Sequence, residues 1–407
     1  MKSARGPAIS RIPQNLIRWP AAWLTGHEAN AAGRLGLFRI VYCVFYLFLL
    51  IEYHAPLLYD FPRFLQRRSV FAGRWLVDPP WIFYELIVPC LVASLVLLLL
   101  GLWTRVMTAV VLVLGGLLEA HLSGVDMERA TAFVMAYIPL FMLIGGDWSA
   151  TYSLDARRRR GSQLGVGPAD SGPRFVLPIR AVMVMLIFGF FTAALYKALP
   201  SAPWFTQDNL FGHLTLQRRV RNALDGNPIM PMPWLFMEYP WLEAGMRWFV
   251  VIFEAAFLLL LVGGRIRALI LSTALIFHAI NGIWLGVSFT PILIVYFLFI
   301  DLESWRARAA PVFAPLARPV RTAFGSTNHT VLVVTGLLLA CATGLLWEYT
   351  RLPQSVLSLG GLVNMVTIWY PVLPIASLWF AFVVIELLRS LIGLNRRAGK
   401  PDETATA

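Results

Sequence analysis

Ionisable side chains interrupt several long apolar segments of this 407-residue chain. Lys197 stands at the end of one such segment, and Glu254 lies about midway along another. His278 and Asn281 are three residues apart in a third segment, so they share one face of a helix. A titratable group in an apolar span is costly and usually faces a cavity, a partner or a pathway. These residues are therefore the first candidates for chemistry.

Lys197 has the residue type and the setting of a general base. Ala193 and Ala194 precede it by one helical turn and leave room beside its amine. An amine held in an apolar niche is favoured in its neutral, proton-accepting form. Simpler explanations stay open, because a lysine at a helix end often extends to the membrane interface. His278 and Asn281 can equally be hydrogen-bonding groups between helices.

Most of the embedded polar groups fall on one side of the predicted membrane. At a rise of ~1.5 Å per residue, Lys197 lies roughly 25 Å above Arg180, and Glu119 and His121 lie roughly 21 to 24 Å above Arg105. This pattern predicts a polar cavity that opens to the periplasm or an equivalent space. Arg39 and Glu386 lie near the inner side and are candidates for a structural ion pair. The six histidines are never closer than 27 residues, so no locally encoded metal site is expected, and only ligands contributed by several helices stay open.

The composition requires membrane helices to position these groups. Apolar residues make up 58% of the chain, charged residues only 14%, and the mean hydropathy is +0.69. A soluble globular domain has roughly 25% charged residues. We therefore predict an all-α, polytopic integral membrane helix bundle with about ten spans, the range being nine to eleven. The predicted spans are 35–59, 81–102, 104–123, 130–146, 175–199, 243–264, 266–286, 288–300, 331–350 and 372–394, and 354–370 is a candidate re-entrant or interfacial segment. Tight turns between neighbouring spans predict helical hairpins at 81–123 and 243–286.

The net charge of +12 is explained by topology. With the N-terminus inside, 20 Lys and Arg residues fall in cytoplasmic segments and nine in outer loops. This excess favours an N-in, C-in arrangement. The run Arg157 to Arg160 is its strongest marker and suits a position near anionic lipid headgroups. We expect membrane lipids, and no nucleic acid, as partners.

Four motifs follow one another along the chain: Arg34-Leu35-Gly36-Leu37-Phe38-Arg39-Ile40, Asp147-Trp148-Ser149-Ala150-Thr151-Tyr152-Ser153-Leu154-Asp155, Tyr196-Lys197-Ala198-Leu199 followed by Trp204, and Phe277-His278-Ala279-Ile280-Asn281-Gly282 with Phe289 beyond it. In sequence and in order they resemble the horizontally transferred transmembrane (HTTM) domain, the membrane domain of vitamin K-dependent gamma-carboxylase and of many bacterial relatives. The resemblance covers about 34 to 301. It divides the chain into a basic cytoplasmic arm (1–34), an HTTM-like domain (35–301) and a region (302–407) with a cytoplasmic connector, two further hydrophobic segments and a polar tail.

The resemblance implies a lyase-type carboxylase in which a lysine deprotonates a reduced quinone, such as vitamin K hydroquinone. Reaction with oxygen then gives a strong base that removes a proton from a glutamyl side chain, and carbon dioxide adds to the resulting carbanion. On this basis Lys197 and His278 are the catalytic candidates. The expected substrate-binding residues are Asn281, Glu254, Glu119, His121 and Trp204.

Three functions remain open at this point. The first is a carboxylase-like enzyme of the bacterial inner membrane that uses a quinone and a peptide or small-molecule substrate from the non-cytoplasmic side. The second is a non-catalytic lipid- or quinone-binding protein, or an assembly partner. The third and weaker one is a transporter, because the chain shows neither inverted repeats nor paired broken spans.

Overall fold

The described part of the chain is helical, as predicted, and contains no strand. A computed structural model describes residues 23–24, 26–50, 82–122, 133–160, 170–207, 210–211, 213, 238–282, 290–300 and 365–398. These residues form two compact units. The first unit consists of the described residues within Met1–Val182 and Ile294–Thr350, and the second of those within Met183–Leu293 and Arg351–Ala407.

The first unit consists of short and medium-length apolar helices. Its elements are α1 (Ala31–Leu49), a π-helical turn (Ile82–Ile87) that leads into α2 (Val88–Leu100), α3 (Thr104–Leu122), a second π-helical turn (Phe133–Tyr137) that leads into α4 (Ile138–Gly145), α5 (Leu154–Arg160), the N-terminal part of α6 (Pro173–Ala198) and the C-terminal part of α10 (Thr290–Phe297). Helix α2 packs on α1 and α3, and α3 packs on α4. The hairpin predicted from 81–123 is therefore present as α2 and α3.

A glycine turn joins α2 to α3. Gly101 has φ +68°, and its amide donates a 2.9 Å hydrogen bond to the Leu98 carbonyl. A Cβ at this position would lie 2.2 Å from the Cβ of Ser153, so both the conformation and the space require glycine. Asp155 then caps α3, because its Oδ2 accepts 2.8 Å hydrogen bonds from the amide and the hydroxyl of Thr104.

Helix α1 packs closely against the segment 147–155. The guanidinium of Arg39 is fully buried and donates to the carbonyls of Trp148, at 2.8 Å, and Tyr152, at 2.5 Å. The Thr151 hydroxyl donates to the Ala32 carbonyl at 2.9 Å, and a Cβ on Gly36 would come within 2.1 Å of that hydroxyl. Arg39 thus satisfies main-chain carbonyls of this segment, and its pairing with Glu386 stays a prediction.

The second unit is built on longer helices. It contains the C-terminal part of α6, the short α7 (Pro203–Thr206), α8 (Pro240–Ala256) with a 3₁₀ extension (Phe257–Val262), α9 (Gly264–Ile280) and α11 (Met365–Ala398). Positive φ angles at Gly263 and Gly264 allow the turn from α8 to α9, which is the second predicted hairpin. Helix α11 packs on α9, where Glu386 lies 3.8 Å from Arg265.

Helix α8 buries its three charged side chains and exposes apolar side chains on the opposite face. Glu243, Arg247 and Glu254 fall on the buried face, whereas Trp241 and Ile252 on the opposite face are 72% and 63% exposed. This arrangement is the reverse of a helix that meets water on one side. It is the distribution found where the surrounding medium is apolar and ionisable groups face the interior.

Three helices among the described residues are long and apolar enough to cross a membrane. They are Ala31–Leu49, Pro173–Ala198 and Pro240–Val262. Three shorter apolar helical segments, Glu85–Leu100, Val134–Gly145 and Val372–Leu388, overlap further predicted spans. Helix α11 begins at Met365, so residues 365–370 continue this helix and do not form the separate interfacial piece that we considered. The predicted span 331–350 lies outside the described residues.

Candidate functional site

Lys197 and Glu254 form a two-point contact between α6 and α8. The Lys197 Nζ lies 2.5 Å from Oε1 and 2.7 Å from Oε2 of Glu254. Glu254 is 8% exposed and Lys197 is 19% exposed. The carboxylate is therefore enclosed, and the amine keeps limited access to the surroundings.

Packing of the two helices fixes this contact. Phe190, two turns before Lys197 on α6, stacks on Phe257, one turn after Glu254, with ring centroids 3.8 Å apart. Because the order of the two contacts reverses, α6 and α8 run antiparallel. Ala194 is buried one turn before Lys197 and leaves space for the chain of the lysine. Lys197 and Glu254 thus meet next to the stacked rings of Phe190 and Phe257, which hold the same two helices together.

Trp204 lies over the amine of Lys197. The Lys197 Nζ is 5.0 Å from the centroid of the indole, a cation–π distance. Trp204 belongs to α7, a single turn that follows α6 almost directly. The Trp204 indole N–H donates to the Arg247 carbonyl at 3.3 Å, which holds the ring on α8.

A buried ion pair on α8 anchors the segment that carries Trp204. Glu243 and Arg247, spaced i and i+4, are in direct contact. Arg247 also donates to the carbonyls of Trp204, at 2.9 Å, and Gln207, at 2.7 Å. Glu243 accepts from the Phe211 amide at 3.1 Å. Our prediction from the sequence did not include these two residues, although their i, i+4 spacing was a readable signal.

His278 is fully buried against aromatic rings in the same unit. Its ring lies 5.8 Å from that of Phe190 and 5.3 Å from that of Phe277. Phe190 is seven residues from Lys197, which is roughly 10 Å along α6. Asn281, one turn beyond His278, is also buried. His278 thus contacts the aromatic stack that lies deeper than the lysine.

The remaining candidates belong to the first unit. Glu119 lies on α3 and is half-buried. His121 lies two residues further on the same helix, and its side chain is outside the described residues. The predicted site residues that the structure brings into direct contact are therefore Lys197, Glu254 and Trp204.

A carboxylate and an amine in this setting can share protons. In a poorly solvated pair, moving one proton from the amine to the carboxylate removes two buried charges and leaves the amine able to accept another proton. Among the described residues, no group of three or more His, Cys, Asp or Glu side chains could hold a metal ion. Protein-family models, curated proteins and solved structures contain no match to the chain.

Proposed function

We propose that the chain is an integral membrane enzyme of the HTTM, vitamin K-dependent carboxylase-like type, with Lys197 as the general base toward a reduced quinone. One observation carries the proposal: Lys197 is paired with the buried Glu254 beneath the Trp204 indole. Each of the three was a candidate on the sequence alone. They are contributed by three different helices and meet at a single point.

Membrane residence is supported by the distribution of charge on α8. Glu243, Arg247 and Glu254 face inward, and tryptophan and isoleucine side chains face outward. We propose about ten spans in an N-in, C-in arrangement in the bacterial inner membrane. The excess of cytoplasmic Lys and Arg supports this orientation.

Aromatic residues support a position of Lys197 near the outer interface. Tyr196, Trp241 and Trp248 are each more than half exposed, and the Trp248 ring lies 4.8 Å from that of Phe205. Amphipathic aromatic rings collect where the hydrocarbon meets the headgroups. At this depth a base is open both to a lipid-soluble quinol and to a polar substrate from the non-cytoplasmic side.

Glu254 gives Lys197 a way to become neutral. When the Glu254 carboxyl holds the proton, the Lys197 Nζ has a lone pair and can accept a proton from a hydroxyl placed beside it. The site fits an aromatic diol, because the Trp204 indole offers a flat apolar surface next to the amine. A reduced quinone, when bound, supplies an acidic hydroxyl and the electrons for the reduction of oxygen. His278 lies deeper and would contact the apolar part of a bound molecule.

The test is quinone epoxide formation by the purified protein in lipid nanodiscs. With a reduced naphthoquinone and oxygen, one oxygen atom enters the quinone and the other leaves as water. We expect epoxide with the wild type and none with Lys197→Ala or without oxygen. Undiminished epoxide formation by a folded Lys197→Ala protein would exclude the proposed role.

A non-catalytic quinone- or lipid-binding protein is the second candidate. The two-point contact of Lys197 with Glu254 favours it, because such a pair also suits a purely structural role. This candidate predicts that a quinone co-purifies with the wild type, as detected by mass spectrometry, while no epoxide forms. Epoxide formation that depends on Lys197 would exclude it.

A further inference from the structure

The turn between α2 and α3 and the start of α5 form one continuous surface in the first unit. Asp155 joins them, because its Oδ1 accepts from the Trp103 amide at 3.2 Å and its Oδ2 from the Thr104 amide at 2.8 Å. The Asp155 amide in turn donates to the Gly101 carbonyl at 2.9 Å. Residues that flank these contacts on either segment are therefore held as neighbours.

A tryptophan is exposed at the centre of this surface. Trp103 is 58% exposed and has φ +47°. A bulky side chain rarely adopts a positive φ, and a turn selected only to reverse the chain would carry glycine there. Retention of an exposed indole in a strained conformation indicates that the side chain has a use.

Three exposed arginines lie on the two segments that Asp155 joins. Arg105 is the second residue of α3, and Arg157 and Arg158 follow Asp155 on α5. Within the described part of the chain, no carboxylate lies within salt-bridge distance of these three guanidinium groups. The neighbouring acids are engaged elsewhere, since Asp155 caps α3 and Asp147 accepts from Arg159 at 3.0 Å.

An apolar stripe continues from this charged surface along α3. Val106 and Val113 are spaced i and i+7 on the helix face that follows Trp103, and they are 60% and 59% exposed. Trp103 and Arg105 at the start of α3, with Arg157 and Arg158 on the joined segment, are thus followed along α3 by exposed apolar side chains. A phospholipid combines the complementary features: an anionic phosphate, an interfacial region and acyl chains.

We propose that Trp103, Arg105, Arg157 and Arg158 form a binding site for an anionic phospholipid, with its acyl chains along Val106 and Val113. Guanidinium groups bind phosphate oxygens through paired N–H donors. Tryptophan is favoured at the level of the headgroups. The occupant is a lipid and not a soluble anion. Exposed Val106 and Val113 beside the arginines can be covered by acyl chains, which a soluble anion lacks. The site does not include Lys197 and is independent of the proposed function.

Native mass spectrometry of the detergent-solubilised full chain tests the site. The probe is an equimolar mixture of phosphatidylglycerol and phosphatidylcholine. We expect the wild type to retain phosphatidylglycerol preferentially. Each arginine removed near a charged surface weakens binding about fivefold, so Arg157→Gln/Arg158→Gln should bind roughly 25-fold more weakly. Arg174→Gln is the matched control, since Arg174 is exposed in the same unit but stacks on Phe175 and lies on neither of the segments that Asp155 joins.

A second variant separates binding from folding. Trp103→Gly relieves the positive φ, so we expect equal or higher thermal stability together with weaker retention of phosphatidylglycerol. The wild type should also retain phosphatidylglycerol in excess inorganic phosphate as well as it does in chloride of the same ionic strength. Unchanged retention by both variants, an equal loss in Arg174→Gln, or displacement by phosphate beyond that by chloride would each overturn the proposal.

Discussion

Removal of Lys197 should destabilise the protein more than removal of Glu254, its partner in the buried contact. Breaking a buried ion pair at one side leaves an uncompensated charge, at a cost of about 3 to 5 kcal/mol when both groups are fully enclosed. Glu254 is 8% exposed and Lys197 is 19% exposed. The orphaned carboxylate therefore has less access to water than the orphaned amine, whose flexible chain can also extend toward the interface.

These exposures set the expected magnitudes. Lys197→Met should lower the free energy of unfolding by about 3 kcal/mol, and Glu254→Leu by about 1 to 2 kcal/mol. The double variant replaces the pair by apolar side chains of similar length and should lose only about 1 kcal/mol relative to the wild type. The coupling free energy between the two sites is then about 3 to 4 kcal/mol, well above that of an exposed pair.

Reversible unfolding in mixed micelles, followed by circular dichroism, measures all four proteins. The matched control is the cycle on Arg265 and Glu386, which are 52% and 31% exposed and 3.8 Å apart, where coupling below about 1 kcal/mol is expected. Additive effects of Lys197→Met and Glu254→Leu would refute the reasoning. So would a larger loss for Glu254→Leu than for Lys197→Met.

Two further predictions concern packing and buried charge in the first unit. Gly115→Ala should destabilise the protein by about 1 to 3 kcal/mol, because the added Cβ would lie 2.5 Å from the Tyr46 hydroxyl. The control Gly116→Ala meets nothing within 4 Å and should be neutral or stabilising by up to about 1 kcal/mol. Equal melting temperatures of the two variants would contradict this prediction. Arg39→Met should cost about 2 to 4 kcal/mol, because two buried carbonyls lose their donors, and the exposed Arg105→Met should change the unfolding free energy by less than about 0.5 kcal/mol. A loss in Arg39→Met no greater than in Arg105→Met would show that the two carbonyl contacts do not stabilise the fold.

Local features of the fold follow from the sequence with little further information. Gly101 ends one apolar helix, and the left-handed turn that glycine permits produces the predicted hairpin of α2 and α3. The paired glycines 263 and 264 do the same between α8 and α9. Apolar length likewise indicated α1, α6 and α8, because helix-length runs of apolar residues are a strong local signal.

Contacts between distant segments could not be predicted in this way. Lys197 and Glu254 are 57 residues apart, and only the register of α6 against α8 brings them together. The main-chain carbonyls that Arg39 binds were not predicted, because every residue carries a carbonyl and its position has no sequence signature. Depth along a helix can be counted from a sequence, whereas the neighbour at that depth depends on packing.

The most direct test of the central claim compares Lys197→Arg with the wild type in one preparation. Arginine retains the positive charge and the hydrogen bonds to Glu254, but it stays protonated and cannot act as a base at neutral pH. We predict an unfolding free energy within about 1 kcal/mol of the wild type and a rate of quinone epoxide formation lower by at least about 100-fold. A folded Lys197→Arg protein that forms epoxide at the wild-type rate would contradict the claim that Lys197 is the base.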